Sequence, residues 1–254
     1  MTGFMAFLWK EFVEIRRTWR MWMIPGMLVF FGVTSPIIAA LTPGLVRSMA
    51  ASQPGMVIHI PPPTAVDGYG QLLKNLNQFV LIALIIAGAG AVSSERSSGT
   101  AVLALTKPLS RRAFVLAKIL SQVTLLTAAT VLGAAACLAV TAVVFGVAHP
   151  ARVATALALW LLYASLLIVV MTIFSAALRS RGAAAGAGLA FYFIGLLVSA
   201  WGPASRYSFL GLMPAMRDAL MGGEVSSGWP VATAVVAIGV GVVAALGIFE
   251  HQEL

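Results

Sequence analysis

Residues that could act in catalysis or bind a metal are few and scattered in this sequence. The three histidines are His59, His149 and His251, and the single cysteine, Cys137, lies within an apolar run. Their spacing matches no metal site, and one cysteine cannot form a disulfide within the chain. We therefore predict no metal centre, and we expect Cys137 to be a buried apolar residue.

Serine chemistry and nucleotide binding are also disfavoured. Ser165, Ser175 and Ser199 lie in or near apolar runs, but a serine nucleophile needs a base within reach. No histidine lies deep enough in those runs to serve as that base. The chain has no G-x-x-x-x-G-K-[ST] motif, the loop that cradles ATP phosphates. The sequence thus predicts neither enzymatic activity nor a cofactor of its own.

One polar segment has the pattern of a short capped helix. Ser98 or Thr100 can accept hydrogen bonds from the first N–H groups of this helix. Residues 101–106 supply about one and a half turns. Pro108 then ends the helix, and Ser110 can cap the helix that follows.

The same segment, residues 94–112, is unusually apolar for a loop in water. Val102, Leu103 and Leu105 belong to its short helix. Exposed apolar groups of this kind mark a surface that a partner protein covers. The alternative is a loop folded back on the membrane surface. Either arrangement removes these three side chains from water.

The composition indicates which solvent surrounds the chain. Of 254 residues, 60% are hydrophobic and only 9% are charged, with a mean hydropathy of +0.98. Soluble domains carry about 25% charged residues, so most of this chain must face lipid. The net charge of +8 suits basic residues gathered at the cytoplasmic ends of membrane spans. We therefore expect a lipid environment and no nucleic acid partner.

Six apolar runs are long enough to cross a membrane, which requires about 20 apolar residues per helix. They are residues 21–42, 77–93, 114–146, 152–177, 183–201 and 230–249. Lys118, near the start of the third run, is the only charged residue in their interiors. The sequence therefore predicts an all-α membrane protein with six transmembrane helices in one domain, residues 1–254.

The distribution of basic residues between the flanks predicts the orientation. With the N-terminus inside, eleven of the sixteen Lys and Arg residues become cytoplasmic and five lie outside. The outer five are Arg47, Lys74, Arg152, Arg206 and Arg217. Because cytoplasmic flanks are enriched in Lys and Arg, we expect both termini to lie inside.

Residues 1–20 have the pattern of an amphipathic helix. At 100° per residue they form an apolar stripe, which consists of Phe4, Leu8, Phe12, Ile15 and Trp19. The opposite side carries Lys10, Glu14, Arg17 and Arg20. A helix of this kind lies in the membrane interface. The alternative is a plain basic flank to the first span.

The first predicted outer segment, residues 43–76, is longer than a simple turn. Pro43, Pro54 and the three prolines at 61–63 interrupt it. Proline favours extended backbone over helix in such a stretch. We therefore expect this segment to be extended.

The second outer segment, residues 202–229, contains a short helical stretch over residues 210–221. Pro214 lies in its first turn, where proline is tolerated, and Gly222 with Gly223 would end it. Its mixture of apolar and charged residues indicates a helix that lies at, or dips into, the outer membrane interface.

The fifth apolar run carries small residues at a helical repeat. Gly182, Gly186 and Ala190 recur every four residues. Such spacing lets the backbones of two membrane helices approach closely. Packing within the chain and dimerisation both explain the pattern.

The loop at 94–112 resembles the first cytoplasmic loop of type-2 ATP-binding-cassette (ABC) exporter permeases. The matching residues are Glu95, Gly99, Thr100, Pro108, Ser110 and Arg111, followed by Lys118. The N-terminal amphipathic helix, the six spans and the short acidic tail extend the resemblance over the chain. The family's re-entrant helices, which close the extracellular end, correspond to residues 202–229. The proline-rich segment 43–76 departs from the pattern and identifies no substrate.

The resemblance implies a coupling helix in this loop that docks into a groove on a separate ATPase subunit. Val102, Leu103 and Leu105 would fill the groove, and Glu95 and Arg111 would make polar contacts at the joint. ATP and Mg²⁺ would be bound by the ATPase. A second copy of this chain, or a homologous permease, would complete the assembly.

A chain of that family would be a multi-pass protein of a prokaryotic cell membrane that couples ATP hydrolysis to export. A pathway lined by Thr, Ser, Tyr163, Met and Phe, without buried charge, would suit a hydrophobic or amphipathic substrate. The alternative is a secondary transporter or channel. Ion-coupled carriers usually keep ionisable residues inside their spans, and the central portions of these spans have none. Backbone carbonyls can also bind ions, so this alternative stays open.

Overall fold

The computed structural model describes residues 2–50, 61–93, 110–178, 180–223 and 227–251. All regular structure in these ranges is helical, and they contain no β-strand. The predicted all-α fold is confirmed. The short helix predicted over residues 101–106 lies outside the described residues.

Ten α-helices, one π-helical turn and one 3₁₀ turn make up the described part of the chain. In order they are α1 (Thr2–Arg17), α2 (Arg20–Ala50), α3 (Ala65–Asn75), the π turn (Leu76–Val80), α4 (Leu81–Gly88), α5 (Arg111–Phe145), α6 (Pro150–Ala177), α7 (Arg181–Ser199), α8 (Gly202–Tyr207), the 3₁₀ turn (Phe209–Gly211), α9 (Leu212–Met221) and α10 (Gly228–Glu250).

Six helical stretches in the described ranges are long and apolar enough to cross a membrane. They are α2, the stretch from α3 through α4 (Ala65–Gly88), α5, α6, α7 and α10. The six predicted spans are therefore confirmed. α5 has 35 residues and α6 has 28, so both exceed the roughly 20 residues that a bilayer requires.

The prediction of an extended segment over residues 43–76 is wrong at both ends. α2 continues through Pro43 to Ala50, and α3 already forms part of the second span. Proline removes one helical hydrogen bond, but membrane helices tolerate it where neighbouring helices and Ser or Thr side chains support the backbone. Beside this proline, Thr42 donates its hydroxyl to the Ile38 carbonyl at 2.7 Å.

A capping pattern explains where α3 begins. The main-chain N–H and the hydroxyl of Thr64 both donate to Asp67 Oδ2, at 2.8 and 2.7 Å. A Thr followed three residues later by an acidic residue is a recognised helix start. The prediction overlooked it because the preceding prolines favoured extended backbone. Residues 61–64 are the non-helical part of the predicted extended segment among the residues described.

The second span changes helix type at its centre. The π turn separates α3 from α4, and the Tyr192 hydroxyl of α7 donates to the Asn77 carbonyl at 2.6 Å. Just before the turn, the Asn75 side-chain amide donates to Ser35 Oγ of α2 at 3.0 Å. Such turns recur at functional positions in proteins. Here two directional contacts tie the second span to α7 and to α2.

The helix predicted over residues 210–221 is confirmed as α9 with the 3₁₀ turn before it. Pro214 lies in its first turn, and Gly222 ends it with a φ of +74°, a left-handed conformation that glycine adopts at little cost. The sequence interpretation missed α8, although Pro203 occupies the second position of that helix, where proline is well tolerated.

The core of the bundle surrounds α6. Trp160, Tyr163, Leu167 and Met171 of this helix are almost fully buried, in one apolar cluster with residues of α3, α4 and α9. Cys137 of α5 belongs to the same cluster, which confirms its prediction as a buried residue. The fourth span thus packs against α4, α5, α7 and α10.

Two glycines allow α2 and α5 to pack backbone against backbone. A Cβ on Gly32 would come within 2.5 Å of the Gly133 carbonyl oxygen, and a Cβ on Gly133 within 2.8 Å of the Leu28 carbonyl oxygen. No side chain larger than hydrogen fits between main chains at these distances. The first and third spans therefore depend on glycine at this crossing.

We predict that Gly133→Ala destabilises the protein by about 1–3 kcal/mol, because the added methyl group forces α2 and α5 apart. Gly239→Ala in α10 is the matched control, since a Cβ there meets no atom within 4 Å and alanine favours helix by up to about 1 kcal/mol. Thermal unfolding in one detergent should place Gly133→Ala below wild type and Gly239→Ala at or above it. Equal melting temperatures for the two variants would contradict this packing.

Candidate functional site

One end of the bundle contains a cavity of about 190 Å³, which we call the charged cavity. It lies where α1, the start of α2, the residues after α4, α5 and the start of α7 come together. Its charged and amide-bearing lining residues are Glu11, Glu14, Arg20, Lys118, Gln122 and Arg181. Gly90 and Ala91, which shortly precede segment 94–109, also line this cavity. We therefore take this end of the bundle as the candidate functional site.

A buried ion pair forms one wall of the cavity. Lys118 Nζ lies 3.2 Å from each carboxylate oxygen of Glu11, and the two side chains are 4% and 6% exposed. The sequence singled out Lys118 as the one charge inside a span but did not name its partner. The available signal was the helical position of Glu11, which falls one turn before Ile15 on the apolar side of α1.

Aromatic rings continue the contact between α1 and the spans. The rings of Phe7 and Phe114 are 5.2 Å apart, and Phe114 stacks on Phe249 at 5.1 Å with an interplanar angle of 2°. Such pairs contribute about 0.5–1.5 kcal/mol beyond their buried area. One stack therefore joins α1 to α5 and to the end of α10.

The residues of the predicted apolar stripe in the N-terminal segment differ in burial. Ile15 is buried, whereas Trp19 is 54% exposed. The other three members, Phe4, Leu8 and Phe12, are partly buried. The side of α1 that contacts the bundle runs along Phe7 and Glu11, next to the predicted stripe, and the exposed side also carries apolar residues such as Trp9. The helix thus presents apolar surface both to the protein and away from it.

Glu14 lies at the rim of the cavity on the same helix. Burial raises the pKa of its carboxyl, but the hydrogen bond from Lys10 and the positive charges of Lys118, Lys10 and Arg20 outweigh it, so the net pKa lies below the ordinary value. The Lys10–Glu14 contact measures 2.6 Å. Glu14 is therefore ionised at neutral pH, and its charge is matched by neighbouring cations.

The predicted coupling loop enters the described structure only at its ends. Seven of its predicted contact residues lie outside the described residues: Glu95, Gly99, Thr100, Val102, Leu103, Leu105 and Pro108. Ser110 and Arg111 are described. The docking role of this loop therefore stays a prediction.

The residues that lead into the loop are held by Ser175 of α6. Its hydroxyl oxygen accepts hydrogen bonds from the main-chain N–H groups of Val92 and Ser93, at 2.9 and 3.1 Å, and its own proton goes to the Ala89 carbonyl at 2.9 Å. Ser175 is 1% exposed. The sequence interpretation considered this serine only as a nucleophile, whereas its contacts are those of a structural cap.

The residues that follow the loop, at the start of α5, contact the end of α10. Ser110 Oγ accepts from the Ala113 N–H at 3.2 Å, which confirms the predicted cap. Arg111 Nη1 donates to the carbonyl of Glu250 at 2.8 Å, and Arg112 Nε donates to Glu250 Oε1 at 2.6 Å. Cations at a helix C-terminus also meet the negative end of its dipole. The side chain of Arg111 is thus engaged with α10.

A second cavity, of about 470 Å³, lies at the other end of the bundle between α3 and α9. Its wall includes Asp67, Lys74, Asn77 and Arg217. The Oδ1 atom of Asn77 is buried and has no hydrogen-bond partner among the described residues. This cavity therefore has charged residues in its wall, beside the π turn.

Other candidate groups have structural contacts. The hydroxyls of Ser165 and Ser199 donate to main-chain carbonyls within their own helices, at 2.7 Å each. Among the described residues, no cluster of three or more His, Cys, Asp or Glu is placed to hold a metal ion. The buried Lys118–Glu11 pair distinguishes the first cavity from the second.

The small-residue face of α7 does not pack within the described chain. Gly182, Gly186 and Ala190 are exposed, and a Cβ on either glycine would meet no atom within 4 Å. The face that packs inward carries Gly188, against Met171. Of the two explanations for the repeat, packing within the chain is therefore wrong for these three residues in the structure described.

The fold defines a multi-pass α-helical membrane protein with a charged cavity at one end. The chain belongs to the family described as "Protein of unknown function (DUF2705)", which matches residues 37–250. It is similar to the "Uncharacterized transmembrane protein YxlG" of Bacillus subtilis (strain 168). The two are 24% identical over 185 residues, which cover 73% of this chain and 72% of that protein.

We predict that Lys118→Met lowers stability by about 3 kcal/mol, because Glu11 stays buried and loses its buried partner. The double variant Glu11→Gln/Lys118→Met should recover most of this loss, since both charges are gone. Lys10→Met is the control and should cost about 1 kcal/mol or less. Thermal unfolding measures the losses, and limited proteolysis reports release of α1. A double variant as unstable as Lys118→Met would disprove the ion-pair explanation.

We predict that Ser175→Ala lowers stability by about 2 kcal/mol, because two buried N–H groups lose their acceptor. Ser165→Ala in the same helix is the matched control, since its hydroxyl contacts only the Leu161 carbonyl one turn back, and it should change stability by about 0.5 kcal/mol or less. Hydrogen exchange should accelerate around Val92 and Ser93 in Ser175→Ala alone. Unchanged exchange there would show that Ser175 does not hold this segment.

Proposed function

We propose that this chain is the membrane-spanning subunit of an ATP-driven exporter, a permease of the type-2 ABC class. ATP is bound and hydrolysed on a separate subunit, and the chain works in a prokaryotic cell membrane. The proposal accounts for six spans together with a sequence that has no phosphate-binding loop. It also accounts for the resemblance of residues 94–112 to a coupling loop.

The observation that carries the proposal is the attachment of segment 94–109 at both of its ends. Ser175 holds the residues before it to α6, and Arg111 holds the residues after it to α10. A loop that only joined two spans would not need these links. A force applied by a docked ATPase would pass through them into α6 and α10 as well as α5. Such spreading of force is what a transport cycle requires of a coupling element.

The substrate class is hydrophobic or amphipathic. Lys118 is paired with Glu11 near one end of its span, while the buried polar groups farther into the bundle are neutral. Trp160 Nε1 and Tyr163 OH are buried there without partners among the described residues. A bundle interior whose described polar groups are neutral suits a molecule with few or no charges.

The assembly contains two copies of this chain, or one copy with a homologous permease, and two ATPase subunits. The exposed repeat Gly182, Gly186 and Ala190 supports this, because small residues at that spacing suit close contact between membrane helices. One chain has one coupling loop, whereas an ATPase dimer presents two grooves. Two-fold symmetry is the commonest way to match such pairs.

The test is co-purification with a candidate ABC ATPase subunit produced in the same cells. Leu103→Asp should weaken ATPase binding about a hundredfold or more, because a buried unpaired charge costs several kcal/mol and each 1.4 kcal/mol is tenfold. Leu103→Met is the matched control and should bind normally, since it conserves apolar volume. Glu95→Ala should be milder, at about 1 kcal/mol or less.

Three results would overturn the proposal. The first is saturable ATP hydrolysis by the purified chain alone. The second is undiminished ATPase binding and transport with Leu103→Asp, which the alternative of a loop resting on the membrane surface predicts. The third is transport driven by an ion gradient without the ATPase, which the alternative of a secondary transporter predicts. Native mass spectrometry of the wild-type complex gives the number of copies in the same preparation.

A further inference from the structure

The charged cavity has more positive than negative charge around it. Its lining carries Arg20, Lys118 and Arg181 against Glu11 and Glu14. Lys10 pairs with Glu14 at 2.6 Å and also approaches Glu11 at 3.1 Å. Among the described residues, four cations thus surround two carboxylates. These charges lie beside apolar helices, where water screens them poorly.

Arg181 is a cation that pairs with no carboxylate of the described residues. It is the first residue of α7, after the cap Ser180, so its charge adds to the positive end of the helix dipole. Within the described part of the chain it forms no ion pair. Its guanidinium lies over Gly90, where a Cβ would come within 2.8 Å of Arg181 Nε. Glycine at this position lets the arginine extend across the mouth of the cavity.

The cavity lining is partly polar and partly apolar. Gln122 of α5 adds a side-chain amide to the polar part. The apolar part includes Ile86 and Trp19, which are 53% and 54% exposed. An exposed isoleucine on a membrane span contacts lipid chains, and tryptophan favours the level of the headgroups. The cavity therefore opens from a cationic interior onto a surface for acyl chains.

We propose that this cavity binds the phosphate group of an anionic phospholipid, with Arg181 as the principal ligand and Gln122 as a hydrogen-bond donor. Guanidinium and phosphate form charge-assisted, often bidentate hydrogen bonds. Cationic pockets between membrane helices are suited to anionic headgroups. The bound lipid stabilises the junction of α1, α5 and α7. This site does not depend on the proposed transport function.

The experiment measures lipid binding to the full-length chain in detergent by native mass spectrometry. The probes are palmitoyl-oleoyl phosphatidylglycerol, phosphatidylcholine with the same acyl chains, and inorganic phosphate. Arg181→Gln should weaken phosphatidylglycerol binding roughly tenfold, as expected for loss of one charge-assisted contact. Arg181→Lys should show a smaller loss, because the charge stays and the planar fork is removed.

Arg206→Gln is the matched control, since Arg206 is an exposed arginine of α8, beyond the opposite end of α7. It should bind phosphatidylglycerol like wild type. Without lipid, Arg181→Gln should melt at the wild-type temperature, which shows that the variant is folded. If it melts lower, the comparison rests on Arg181→Lys against Arg206→Lys.

The outcomes separate the two sources of phosphate. Arg181-dependent binding of phosphatidylglycerol, with weaker binding of phosphatidylcholine, supports a lipid site. Arg181-dependent stabilisation by inorganic phosphate, without a preference for phosphatidylglycerol, supports a site for free phosphate instead and overturns the lipid assignment. Equal binding of every probe to wild type and to Arg181→Gln overturns the site altogether.

Discussion

A lysine side chain within a membrane span needs an opposite charge at the same depth in the membrane. For Lys118 this charge is the carboxylate of Glu11, which belongs to α1, a helix outside the six spans. The pair fixes α1 against α5. Once α1 is placed, Phe7 reaches Phe114, and Phe114 stacks on Phe249 of α10. The cavity exists because α1 lies across this end of the bundle. The geometry of the candidate site thus follows from one electrostatic requirement.

The two halves of the bundle are held together by different kinds of contact. At the end with the charged cavity, hydrogen bonds and ion pairs dominate, as in the contacts of Ser175 and Arg111. Farther along the spans, glycine permits direct packing of main chains, as at Gly32 and Gly133. Asn75 and Tyr192 add hydrogen bonds there. Polar contacts specify one geometry, so both parts of the bundle have contacts that fix the helices relative to one another.

The sequence was sufficient for the features that depend on local pattern. Six apolar runs gave six spans, and the glycine at Gly222 marked the end of α9. The predictions failed where residues distant in the sequence determine the local structure. Pro43 does not end α2, because surrounding helices support its backbone. The tendency of proline to end helices in soluble proteins does not include this support. The partner of Lys118 is 107 positions away, and no periodicity within one helix identifies such a contact.

The length of α5 determines how far its first turns stand from the middle of the membrane. Its 35 residues extend about 52 Å at 1.5 Å per residue, against about 30 Å of hydrocarbon. Even when the helix is tilted by about 40°, the upper end of the observed range, its height along the membrane normal exceeds the hydrocarbon thickness by about 10 Å. Lys118 lies seven residues after Arg111, a rise of about 10 Å along the axis. With that excess at its basic end, α5 brings Lys118 to the hydrocarbon border and carries the arginines that begin it among the headgroups.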